Sequence, residues 1–258
     1  MEYIQKVFLG VQMYMQQNHD LEELVAFLDA EPPLFRSVAY EAASMEMALR
    51  ELRSGKELDN WKKFYWHSAK AHTFHIDIGL GWAFAKADIF PLRHLKPAMP
   101  LMAYDGVGYY YGLFKGRNTV KSQLIPAEIE GRELHGFDQG LGRRLWYISK
   151  GRVNELVQLI RPFQISRHTD LWRGVGIACG YVGGCEKEHL EDLLSSSTGF
   201  KKQLCTGITL AVISRRASNS VSADIDLACN IICGKAMENV LGDGGLKKQL
   251  FSELEIIN

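Results

Sequence analysis

The sequence lacks an excess of charge of either sign, because 30 lysines and arginines balance 30 aspartates and glutamates. A nucleic-acid-binding protein needs a basic surplus to contact phosphates, and anionic membranes attract basic clusters, which are also missing. No run approaches the roughly 18 continuous apolar residues of a membrane-spanning helix. The composition therefore argues against nucleic-acid and membrane partners.

The N-terminus lacks the pattern of a secretory signal peptide. The stretch MEYIQKVFLGVQMYMQQNHD is apolar only in places, and glutamine and asparagine interrupt it before any cleavage site. We predict an amphipathic helix here and a cytoplasmic protein. We also expect the five cysteines, an odd number placed mostly in apolar segments, to be buried free thiols.

Familiar catalytic motifs are missing as well. The chain contains no nucleophile elbow, phosphate-binding loop, dinucleotide fingerprint or kinase signature, so we expect no cofactor. Its 47% hydrophobic and 23% charged content is ordinary for a globular protein. Because no linker or low-complexity stretch divides it, we predict one domain over residues 1–258.

What the sequence does contain is a recurring pair of small residues separated by one apolar residue. The pair occurs in HIDIGLGWAF, AYDGVGYYYG, FDQGLGRRLWYI and LWRGVGIACG, with looser versions in AYEAASMEMAL and LCTGITLAVIS. The first small residues of the six stretches are Ala42, Gly79, Gly106, Gly140, Gly174 and Gly207. Their spacings of 37, 27, 34, 34 and 33 residues are typical of stacked helical hairpins.

We interpret all six stretches as helices, because AYEAASMEMALREL is rich in helix-forming residues, although YDGVGYYYGLF alone would suit a strand. Glycine inside a helix costs about 0.5–1 kcal/mol relative to alanine, so two per unit need a structural reason. Residues i and i+2 lie about 200° apart on a helix, so the pair bares both flanks for close neighbours. A phosphate cradle would instead need a preceding strand.

Amphipathic stretches between these helices predict outer helices at 20–33, 151–163 and 187–200, a closing helix at 222–245 and a cap at 245–258. The predicted fold is therefore all-α and built from repeated helical hairpins with a period of about 34 residues. We expect a compact α-solenoid or ring with the Gly-x-Gly helices inside.

Acidic residues lie close to most of the small-residue pairs. Glu41 and Asp105 directly precede the first small residue, and Asp77 and Asp138 precede it by two. Acids near a helix N-terminus commonly cap it. If the inner helices point the same way, these carboxylates gather at one end and can transfer protons. Our candidate catalytic residues are Asp138, Asp105 and Asp77, and Glu41 is a candidate for substrate binding.

Arginines and aromatic residues are also dense around the repeat. The arginines either pair with the acids or bind a substrate oxygen, and some rings should line a cavity for an apolar or polyunsaturated ligand. The remaining candidate substrate-binding residues are Arg143, Arg173, Tyr109, Tyr110, Trp146 and Trp172.

A metal site is possible but not favoured. His72 and His75 share a helix face with Asp77 close by, yet the spacings of known zinc motifs are absent. Cys229 and Cys233 lie one helical turn apart without a second ligand pair. We expect solvated or core histidines and no bound metal.

Residues 34 to 190 resemble a bacterial family of unknown function whose members are often encoded beside polyketide gene clusters, including those for enediynes. The pieces GLGRRLWY and DLWRGVGIACGYVGG carry most of this resemblance. The family has no catalytic residues to transfer. The resemblance implies specialised metabolism and a hydrophobic biosynthetic intermediate as ligand.

Two functions follow as hypotheses. One is a biosynthetic or accessory enzyme that cyclises or isomerises a bound intermediate by acid/base chemistry. The other is a non-catalytic helical-repeat scaffold that holds a synthase or carrier protein. An enclosed pocket with convergent acids would favour the enzyme, and an open concave surface would favour the scaffold.

Overall fold

The computed structural model describes residues 2–18, 20–89 and 100–240. Over these ranges the chain is helical and has no strand, so the prediction of an all-α protein is confirmed. The α-helices are α1 (Glu2–Gln17), α2 (Leu21–Asp29), α3 (Pro33–Arg53), α4 (Asp59–Ala87), α5 (Leu101–Phe114), α6 (Arg132–Ile148), α7 (Val153–Ile160), α8 (Ile165–Val182), α9 (Lys187–Ser196), α10 (Lys201–Ala217), α11 (Ala223–Ala228) and α12 (Met237–Val240). Two π-helical turns span Arg117–Lys121 and Cys229–Cys233. Among the described helices, none is both long enough and apolar enough to cross a bilayer.

The six small-residue stretches all lie in helices, namely α3, α4, α5, α6, α8 and α10, so the helical interpretation of YDGVGYYYGLF is confirmed. Each of these inner helices packs against the next along the chain, and α10 also contacts α4. Contacts between α5 and α6 show their relative direction. The start of α5 at Leu101 lies beside Gly136 near the start of α6, and Gly112 near the end of α5 lies beside Arg144 near the end of α6. Helices α5 and α6 therefore run parallel.

The glycine pairs lie where the backbones of adjacent inner helices meet. A Cβ atom on Gly140 would stand 1.8 Å from the carbonyl oxygen of Asp105 in the preceding inner helix. A Cβ atom on Gly142 would stand 2.0 Å from the carbonyl oxygen of Leu171 in the following one. The same alternation holds in α4, α5 and α8. The prediction that each pair bares both flanks for close packing is confirmed.

Three predicted outer helices are present as α2, α7 and α9, and each buries an apolar stripe that includes Leu28, Leu156 and Leu193 respectively. The predicted closing helix is broken within its described part into α11, a π-helical turn and α12. Gly234 ends the π-helical turn with a φ of +67°, a conformation that stops helical propagation. The predicted cap at 245–258 lies outside the described residues.

The expectation of free thiols is wrong for two of the five cysteines. Cys205 of α10 and Cys233 form a disulfide, with Cα atoms 5.1 Å apart. The bond joins α10 to the end of the second π-helical turn. Cys179, Cys185 and Cys229 are free. The pairing depends on how the chain folds back over 28 residues, which the local apolar context of each cysteine does not reveal.

A small apolar cluster is separate from the main core. It consists of Phe74, Ile78, Leu101, Met102, Ile177 and Leu210. These side chains come from α4, α5, α8 and α10, which therefore share one interior space. We term this group the interior cluster.

Candidate functional site

A small cavity of about 40 Å³ lies beside the interior cluster, between helices α4, α5, α6, α8 and α10. Much of its wall is apolar and belongs to the interior cluster. The polar part of the wall consists of His75, Arg143, Tyr147, Tyr181 and Ser214. One water molecule needs roughly 10–15 Å³ of such space, so the cavity holds a few waters or one end of a ligand. We term these five polar residues, with Glu41 and Asp105 behind them, the interior site.

The lining residues recur at fixed positions after the first glycine of each helix. Arg143, Ile177 and Leu210 follow it by three residues in α6, α8 and α10, and Tyr147, Tyr181 and Ser214 follow it by seven. Positions i+3 and i+7 lie on one helix face, so the three helices present equivalent faces to the cavity. The sequence analysis missed Tyr147 and Tyr181, and this spacing is the signal that identifies them.

An imidazole–carboxylate pair forms one side of the interior site. His75 Nδ1 lies 2.7 Å from Glu41 Oε2, and each residue is only 7% exposed. With Nδ1–H donating to the carboxylate, Nε2 is the ring nitrogen that can accept a proton from a ligand. Neighbouring His72 instead bonds to Ser37, and burial lowers its pKa to about 4. The two histidines therefore have different chemistry.

A guanidinium–carboxylate pair forms the other side. Arg143 Nη1 donates to Asp105 Oδ1 over 2.8 Å, and the guanidinium lies 4.9 Å from the centre of the Tyr109 ring. Asp105 is fully buried, and burial raises its pKa, although Arg143 and a hydrogen bond from Gln139 oppose this. Asp105 is absent from the cavity wall. It acts on the cavity by orienting Arg143.

Hydrogen bonds extend from Asp105 towards solvent. The Gln139 amide donates to Asp105 over 2.8 Å and accepts from Arg173 Nε over 2.5 Å. Arg173 also pairs with Asp170 at 2.8 Å, and Asp170 lies 2.7 Å from His135, whose side chain is 61% exposed. Arg173, a predicted substrate-binding residue, is therefore engaged in this network and does not line the cavity.

Two predicted catalytic carboxylates also lie away from the cavity wall. Asp138 is buried and accepts hydrogen bonds from Nε and Nη2 of Arg167. Asp77 is buried, and one of its oxygens has no hydrogen-bond partner in the described chain. Both precede the first glycine of their helix by two residues. This position points about 140° away from the position three residues after that glycine, which faces the cavity. Neither caps a helix, because each lies well inside α6 or α4.

The four aromatic candidates are likewise absent from the cavity wall. Tyr109 contacts Arg143, and Tyr110 packs against Phe114 with ring centres 4.6 Å apart. Trp146 and Trp172 belong to the main core. Among the residues the structure describes, no group of three or more metal-ligating side chains is present.

The buried Asp77 should make stability depend on pH. Burial raises the pKa of Asp77 well above that of a free aspartate, so the protonated carboxyl contributes fully to the stability of the fold at low pH. This contribution is lost as the pH rises towards the folded-state pKa. Asp77→Asn should therefore gain stability relative to wild type between pH 4 and pH 8, as measured by urea midpoints. The exposed Asp192→Asn is the control. A difference in urea midpoint between Asp77→Asn and wild type that stays constant with pH would contradict this role for Asp77.

Comparison with known proteins shows one family. The sequence profile of the family described as "Protein of unknown function (DUF1702)" matches residues 1–242, so the chain belongs to this family. No curated protein and no solved structure matches the chain. The family description assigns no reaction, so a functional proposal depends on the geometry of the interior site.

Proposed function

We propose that the protein is a cofactor-independent enzyme of specialised, polyketide-type metabolism that cyclises or isomerises a hydrophobic intermediate by proton transfer. The observation that carries the proposal is that His75, oriented by Glu41, and Arg143, oriented by Asp105, line the same cavity. Such a carboxylate-oriented imidazole can act as a general base. A guanidinium held nearby can stabilise the oxygen on which negative charge develops.

The roles within the site follow from these contacts. His75 Nε2 removes a proton from the carbon beside a carbonyl, while Arg143 donates to the carbonyl oxygen as it becomes an enolate. The same imidazolium then returns the proton to another carbon, which completes an isomerisation. Tyr147 and Tyr181 line the same wall, and burial raises the pKa of both phenols, so they remain proton-bearing donors at neutral pH.

The ligand chemistry follows from the charges. Glu41 and Asp105 together carry two negative charges, and Arg143 with a protonated His75 carries at most two positive ones. Within these two pairs no positive charge is left over for a free carboxylate, and the guanidinium of Arg215 lies over the Tyr181 ring at 3.6 Å and not on the cavity wall. A neutral carbonyl group, such as a ketone or thioester, fits better than an acid because it brings no additional buried charge.

We further propose that the six inner helices are repeated units of a closed ring. Contact between α10 and α4 supports this, as does the hydrogen bond of 2.9 Å from Arg215 Nη1 in α10 to the Leu34 carbonyl in α3. The rings of His75 and Tyr181 lie 5.0 Å apart, which brings α4 and α8 together across the interior. A closed ring would exclude water and strengthen the electrostatic effects in the site.

The alternative function is a non-catalytic scaffold that holds a synthase or carrier protein in the cytoplasm. An open concave surface would favour it. The cavity between five helices and the two charged pairs beside it support the enzyme instead, because a scaffold has no need of them.

Complementation of a deletion strain tests the proposal. His75→Gln and Arg143→Lys should each reduce the missing metabolite by about 100-fold or more, with accumulation of its precursor, because general-base or oxyanion contributions are of this size. Lysine keeps the charge beside Asp105 but loses the planar fork of arginine. The readouts are mass-spectrometric metabolite levels and the melting temperature of each purified variant.

Matched controls are His189→Gln and Arg152→Lys, which change exposed residues of the same types and should restore the metabolite fully. If the site variants fold and also restore it, the acid/base site is wrong. If, in addition, the deletion strain still lacks the metabolite, the scaffold function is favoured.

A further inference from the structure

A second cavity lies where the ends of the first four helices meet. Helix α1 ends at Gln17 and α2 begins at Leu21, while α3 ends at Arg53 and α4 begins at Asp59. All four helices contribute to the wall of this cavity, whose volume is about 380 Å³. That volume lies within the roughly 300–1,000 Å³ typical of small-molecule pockets, and no lining residue is shared with the interior site. We term it the N-terminal cavity.

One part of the wall of the N-terminal cavity is apolar. It consists of Met15 and Leu24, which are buried, and of Leu21 and Met47, which are half-buried. Methionine side chains are unbranched and adapt to the shape of what they contact. This part of the wall therefore suits an aliphatic group of a ligand.

Two carboxylates supply negative charge to the wall. Asp20 Oδ1 accepts the N–H of Glu23 over 2.9 Å, and the two oxygens of Glu51 accept the N–H groups of Asn60 and Trp61 over 3.0 Å each. An ionised carboxylate has about four lone-pair sites, and Asp20 Oδ2 has no partner in the described part of the chain. Both carboxylates can therefore accept further hydrogen bonds.

Two cations supply positive charge to the same wall. Arg50 donates from Nε to Glu46 over 2.8 Å and from Nη1 to the Met15 carbonyl over 2.7 Å, which fixes the guanidinium in place. Within the described ranges, neither Nη2 of Arg50 nor the ammonium of Lys63 has an acceptor. These groups are unused donors beside the cavity.

We propose that the N-terminal cavity binds an α-amino acid with an apolar side chain. A ligand with charge of one sign would be attracted by two of the four charged side chains and repelled by the other two, whereas a zwitterion satisfies both pairs. Its ammonium donates to Asp20 and Glu51, and its carboxylate accepts from Arg50 and Lys63. Its side chain lies on the apolar part of the wall, where burial stabilises the complex. This site does not depend on the proposed acid/base function.

Binding of L-leucine tests the proposal, with methionine methyl groups labelled with ¹³C for NMR. At millimolar concentration, leucine should shift the methyl signals of Met15 and Met47 and leave that of Met102 in the interior cavity unchanged. Two analogues each lack one charge: 4-methylpentanoate lacks the ammonium, and 3-methylbutylamine lacks the carboxylate. Each should bind about fivefold more weakly than leucine. L-serine, which lacks the aliphatic group, should bind about tenfold more weakly.

Variants of the charged wall locate the ligand. Asp20→Asn removes the charge but keeps the helix cap, because asparagine caps as well as aspartate does. Lys63→Gln removes the ammonium from an exposed side chain. Each variant should keep the wild-type melting temperature and bind leucine about fivefold more weakly. The matched controls Asp59→Asn and Lys62→Gln change exposed neighbours outside the cavity wall and should bind as wild type does.

The possible results separate the alternatives. If leucine shifts neither Met15 nor Met47, or shifts only Met102, the N-terminal cavity is not the site. Equal binding of either analogue would contradict recognition of a zwitterion. Wild-type affinity in both Asp20→Asn and Lys63→Gln would contradict the placement of the ligand against this wall. Because all of these readouts are binding measurements, they stay informative if the interior site proves to be non-catalytic.

Discussion

Gly142→Ala should destabilise the protein by about 3 kcal/mol or more, and Gly142→Leu should prevent folding. The added Cβ would lie 2.0 Å from the carbonyl oxygen of Leu171, and the obstacle is backbone that cannot rotate away. Relief requires α6 and α8 to separate, which exposes the apolar surface between them. Thermal or urea unfolding of the purified variant measures the effect.

The control is Gly10→Ala in α1, where nothing lies within 4 Å of the added Cβ. This glycine also lies inside a helix, so alanine should stabilise the protein by about 0.5–1 kcal/mol. A loss of stability for Gly142→Ala together with a gain for Gly10→Ala would separate the effect of close packing from that of helix propensity. A wild-type midpoint for Gly142→Ala would show that the inner helices do not approach as described.

Arg167→Met should cost about 3–5 kcal/mol, because it leaves the Asp138 carboxylate buried without its partner. The side chains of Arg167 and Asp138 are only 6% and 1% exposed. Asp138→Asn should be destabilising for the converse reason, since it leaves the guanidinium buried without a counter-charge. The simpler view of Asp138 as a helix cap predicts almost no loss for asparagine, so urea midpoints distinguish the two.

The double variant Asp138→Leu/Arg167→Met provides the internal test. Replacing both members of a buried pair by apolar residues is often neutral or stabilising, so it should recover most of the stability lost in either single variant. Arg152→Met breaks the exposed pair with Glu155, whose side chains are both 52% exposed, and should leave the midpoint unchanged. A double variant as unstable as Arg167→Met would show that the loss comes from packing and not from unpaired charge.

Parts of the candidate site were accessible from the sequence. Arg143 and Asp105 were both predicted, because they flank the glycines of inner helices, although their mutual contact was not. His75 was predicted only as a candidate metal ligand. Its partner Glu41 lies 34 residues earlier in the chain, so their contact depends on how α3 and α4 pack. Trp146 and Trp172 were chosen for their aromatic character, yet core packing accounts for both.

The sequence by itself determined the helical character and the close packing of the inner helices. Both are local properties: helix-forming residues surround each small-residue pair, and a glycine pair at i and i+2 bares two flanks wherever its helix lies. No other information was needed to predict that neighbours approach on both sides.

Only the tertiary structure decided which charged side chains meet at the cavity. Successive side chains on a helix point about 100° apart, so the partner of each side chain depends on how its helix is rotated about its axis. The rotations of α5, α6 and α8 bring Asp105 to Arg143 at the cavity and turn Asp138 away from it to Arg167. Those rotations are set by contacts between backbone and glycine on neighbouring helices. Asp105, which directly precedes the first glycine of its helix, and Asp138, which precedes it by two residues, therefore have different partners although their positions in the repeat differ by only one residue.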